Sequence, residues 1–147
     1  MTVDGRWNAF PDQAAAFQSL YTKELQGGEV LYSFVTTHGA PDNHNFGITS
    51  QVVHDAGFQA LVYELQACST ADLVASEVNI GATYLFFGNA QAVTGYAQPS
   101  ILNCEAGDCF DSMHFLQLKR GGLVIDALFD RDYTMHVYFG DPLLVLP

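Results

Sequence analysis

Asp126 and His136 are the residues whose setting best suits proton transfer. Apolar residues alternate from His114 to Phe139, and this reads as a three-stranded β-meander turning at Gly121-Gly122 and at Asp130-Arg131-Asp132. That register pairs Leu118 with Ile125 and sets Asp126 opposite His136. A carboxylate beside an imidazole fixes its tautomer and raises its basicity, which is what a general base needs. The plain alternative is a surface charge pair worth ~0–1 kcal/mol. The catalytic reading requires a cleft around the pair, and Phe115, Val124, Leu128 and Tyr138 on the same face point to partial cover.

Two further clusters have ligand-type residues. His38, Asp42 and His44 share one loop, and two imidazoles with a carboxylate could hold a metal ion. Neither an HExxH helix nor a His-x-His strand is present, and Pro41 with the Asn-rich end favours a polar turn. Cys104, Cys109 and His114 stand at Cys-x4-Cys-x4-His. A zinc site would need a fourth ligand. A disulfide across a hairpin loop, Glu105-Ala106-Gly107-Asp108, is sterically reasonable. A nucleophilic thiolate is disfavoured, because Glu105, Asp108 and Asp111 raise rather than lower a thiol pKa. A turn with free thiols is the simplest of these readings.

Composition narrows the partners. Sixteen Asp and Glu stand against five Lys and Arg, for a formal charge of −11, yet only 14% of residues are charged. The chain is thus poor in cations more than rich in anions. Nucleic acid and anionic membranes are repelled, since holding phosphates needs Lys or Arg. A basic protein is attracted. Three cysteines, an odd count, and no apolar segment before Trp7 suggest a reducing, cytoplasmic setting. Phosphate-loop, dinucleotide-fingerprint, GxSxG and CxxC patterns are all missing, so no cofactor is implied.

The elements that must position these residues read as α+β. Pro11 and Asp12 open an amphipathic helix through Ala14, Phe17, Leu20, Tyr21 and Leu25, stopped by Gly27-Gly28. Val30–Thr37 and Ile48–His54 read as strands, and Phe58–Gln66 as a strand that could also be helical. Ser69-Thr70-Ala71-Asp72 reads as a helix start, and Gly88-Asn89-Ala90 as a hairpin turn between Ala82–Phe87 and Gln91–Ala97. Leu143–Leu146 reads as a short last strand.

The expectation is one domain over residues 1–147: an N-terminal amphipathic helix packed on a twisted antiparallel sheet or partly closed barrel that ends in a β-meander. The expected function is a non-catalytic acidic inhibitor of a basic protein, as immunity proteins or phage inhibitors of nucleic-acid enzymes are. The alternatives are a small enzyme or ligand binder using Asp126 and His136, or a metalloprotein using His38, Asp42 and His44 or the cysteines.

Overall fold

The structure is a computed structural model that describes residues 14–27, 30–44, 47–99, 117–128 and 135–147. In chain order these form α1 (Ala14–Gln26), β1 (Tyr32–Thr36), β2 (Gly39–Ala40), β3 (Asn43–His44), β4 (Ile48–Thr49), α2 (Ser50–Ala56), β5 (Val62–Gln66), α3 (Ile80–Phe87), β6 (Ala92–Tyr96), α4 (Val124–Leu128) and β7 (His136–Gly140). The architecture is α+β, with open sheets. No helix among the described residues is long and apolar enough to cross a membrane.

The main sheet runs in the order β1-β5-β6-β7. β1, β5 and β6 are parallel, and only β7 runs antiparallel, placing His136 opposite Tyr96. The expected antiparallel sheet is therefore corrected to a mixed one, and the reason is local. The stretch read as a hairpin arm before Gly88 is α3, so β5 and β6 are joined by a helical crossover, which brings strands together in parallel. Likewise Ile48–His54 is not one strand. It breaks after Thr49, whose hydroxyl caps α2 by accepting from Val52 N at 3.2 Å, and α2 ends at Gly57, which adopts the left-handed φ of 63° that favours glycine. The short β2-β3-β4 sheet precedes it.

The crossovers step the same way across the sheet, which puts α2 and α3 on one side of it. There Val53, Ile80 and Tyr84 pack with Phe58 on Val35, Tyr63, Leu65 and Val93 from the strands. Leu25 of α1 is buried in the same cluster with Tyr21 against it, so this helix lies on the sheet as its apolar spacing predicts. On the opposite side, Leu118, Val124, Ala127, Leu128, Leu144 and Leu146 cover Val62 and Ala92.

The C-terminal third departs furthest from expectation. Residues 117–119 are helical, Val124–Leu128 is α4, and Leu123 bridges Val145. The pairing of Leu118 with Ile125, and of Asp126 with His136, is not formed, because the residues that would make the middle strand coil into a helix on the sheet. The turn at Asp130-Arg131-Asp132 lies outside the described residues, as do Pro11, Asp12, Gly28, Cys104, Cys109 and His114.

Candidate functional site

The side chains singled out by type alone are dispersed. Asp126 is exposed on α4, where it lines a shallow hollow of about 390 Å³ with Gln117 and Arg120. His136 is 7% exposed at the start of β7, its ring 4.9 Å from that of Tyr96. The carboxylate on the face of the sheet that His136 shares is Glu64, 1% exposed, which accepts from Tyr32 Oη and, at 3.0 Å, from Gln66 Nε2. Nothing in the spacing of the chain singled out Glu64.

The histidine loop also divides. Asp42 and His38 are exposed, whereas His44 is fully buried in β3. No three His, Cys, Asp or Glu among the described residues are grouped to hold a metal ion. The Nε2 of His44 lies 2.7 Å from Tyr84 Oη, which lies 2.8 Å from Tyr21 Oη. Burial pushes His44 down to about 3, so its ring is neutral near pH 7. Loss of water pushes Tyr21 up to about 12, against the opposing effect of hydrogen bonds with Tyr84 and Ser33. These groups are protonation-silent at neutral pH, and their chain ties α1, β3 and α3 together.

A different feature emerges on the outer surface of α2 and α3. The two helices lie side by side and parallel, which follows from their fastenings. At their N-terminal ends, Ser50 Oγ donates to Asp42 O at 3.1 Å and to Val78 O at 2.9 Å. Ile80 N donates to Pro41 O at 2.8 Å, and Asn79 Nδ2 donates to both Pro41 O and Asp72 O at 3.1 Å. At the C-terminal ends, His54 of α2 packs on Phe87 of α3, ring centroids 4.5 Å apart.

Charge and apolar surface are arranged around that frame. Asp42, Asp72 and Glu77 collect at the N-terminal end, where helix dipoles favour carboxylates. Asp55 stands at the other end, and hydrogen bonds from Gln51 and then His54 hold it below the usual carboxylate range. No Lys or Arg occurs between Lys23 and Lys119. Beside the acids, Leu73, Val74 and Val78 are exposed at one pole and Phe86 and Phe87 at the other, with Val74 at 97% and Phe86 at 75%. A helix as uniformly apolar as Ile80–Phe87 is ordinarily enclosed on all sides. Here its outer end is bare.

The lack of cations is written in the sequence, but the exposed Phe pair is not, since an apolar octapeptide reads as core. No family model, curated protein or solved structure matches the chain.

Proposed function

We infer that the chain is a non-catalytic, acidic binding protein that captures a basic protein partner on the outer surface of α2 and α3. The observation that carries this reading is the pairing of bare apolar side chains with exposed carboxylates, in a stretch of chain without Lys or Arg, around one pair of fastened helices. Exposed apolar groups of this kind mark interaction surfaces, while the acidic surround speeds encounter with a basic partner and discourages like-charged ones. Blocking a basic nucleic-acid enzyme is a use that suits such a surface: the acids occupy the cationic track that the enzyme keeps for phosphates.

The test is binding of the purified chain to a panel of basic nucleic-acid enzymes and to acidic control proteins, at low and at physiological salt. Tight binding confined to basic proteins, weakened by salt and by the Asp55→Lys, Glu77→Lys double variant, is the expected result. Binding that ignores the charge reversal, or absence of binding to every basic protein at low salt, removes the reading.

A further inference from the structure

We propose that this surface seats an amphipathic basic helix laid along α3, its apolar residues two turns apart and its Lys or Arg residues on either side. The proposal rests on the binding role inferred above and specifies the occupant.

The spacing of the two apolar poles sets the geometry. α3 has eight residues, so at 1.5 Å per residue its ends are about 12 Å apart. Val78, just before the N-cap Asn79, and Phe86, near the last residue, mark those ends. Two turns of a partner helix span about 11 Å, so residues at i and i+7 of the partner reach both poles at once. The ground between the poles is low. Ala82 lies one helical turn before Phe86 on α3 and is partly buried, and its neighbour Gly81 is buried. A small residue there allows a partner backbone to approach while longer side chains dock at the ends.

Charge then selects among apolar helices. Asp42, Glu77 and Asp55 are exposed around the stripe and Asp72 is partly so. The stretch from residue 24 to 118 supplies no Lys or Arg to neutralise them. A second copy of this chain is a poor occupant, because a two-fold contact would set these same carboxylates against one another. Anionic lipid and nucleic acid are repelled for the same reason. A helix with Lys or Arg flanking its apolar row meets both demands.

The probe is a labelled eighteen-residue peptide of Leu and Lys with leucine on one helical face, followed by fluorescence anisotropy against the whole chain. A peptide of the same composition with leucine scattered is the first comparison, and a Leu/Glu helix of the same pattern is the second. Val74→Ser and Phe86→Ser supply protein variants, each first checked by thermal melting to be folded as the parent is. The expected result is saturable binding of the patterned Lys peptide, with a helical signal appearing in its circular dichroism. Each protein variant, and the scattered peptide, should bind about tenfold more weakly, and the Leu/Glu helix not at all. Equal binding of patterned and scattered Lys peptides overturns the helical occupant while leaving the charge-based reading standing. No binding of either Lys peptide at low salt overturns both.

Discussion

Tyr84 Oη lies 2.7 Å from His44 Nε2 and 2.8 Å from Tyr21 Oη, so one phenol joins a strand, a helix and the N-terminal helix through the core. Its ring adds contacts with Phe58 and Tyr63, centroids 5.9 and 4.4 Å away. Tyr84→Phe keeps those rings packed and removes only the hydroxyl, leaving Tyr21 and a buried imidazole nitrogen without this partner. Orphaning buried polar groups costs about 1–3 kcal/mol. Urea unfolding should show a lower midpoint at unchanged slope; an unchanged midpoint would mean the chain of hydrogen bonds contributes nothing.

His44 gives stability an acid limb. Its folded pKa of about 3 lies below the ordinary 6.5, so the unfolded chain binds the proton more readily. The contribution is therefore fully present above about pH 6.5 and is lost as pH falls towards 3. Unfolding free energy should decline over that window, and His44→Phe should flatten the decline whatever it does to stability at pH 7. An identical pH profile in the variant would rule out His44 as the titrating group.

Gly140, the last residue of β7, has φ +125°, and a Cβ there would meet Gln91 O and sit 2.8 Å from Ala92 Cα. Both obstacles are backbone, and neither can swing aside. Gly140→Ala should destabilise by about 1–3 kcal/mol through strain at this backbone position and displacement of the β6–β7 edge. The equivalent change at Gly57, which has positive φ but open space around the added atom, should cost less. A reversed order in thermal melts would contradict this account.

These sites also show what the sequence disclosed. β1 was legible because Tyr32–Thr36 is dense in residues that favour strands, and Leu25 and Tyr21 face the core as helical spacing implies. α3 was not, because Ile-Gly-Ala-Thr-Tyr-Leu-Phe-Phe has no polar face to set a period, and a short apolar run fits either element. The legible signal was Asn79, whose side chain accepts from Ala82 N at 3.1 Å as the N-cap. Reading Ser69–Asp72 as the start instead displaced the helix and turned a parallel crossover into a hairpin. Together with Ile48–His54 read as one strand, which hid the α2 crossover between β1 and β5, this made the sheet read as antiparallel. The candidate surface was half legible: its missing cations are countable, but its exposure depends on which side of α3 the sheet takes.

Thr94 lies opposite Glu64 on one side and Tyr138 on the other, yet its fully buried hydroxyl has no hydrogen-bond partner among the described residues. Burying such a group without compensation is unfavourable, and an apolar replacement of the same shape removes the penalty without opening a cavity. Thr94→Val should accordingly stabilise the fold by about 1 kcal/mol, read as a raised urea midpoint at unchanged slope. The neighbouring Tyr32→Phe provides the contrast, since it deletes a phenol that donates to buried Glu64 and should destabilise. If Thr94→Val destabilises as Tyr32→Phe does, the hydroxyl has a partner in solution, and the polar row from Tyr32 to Thr94 is a connected network rather than a pair beside an orphan.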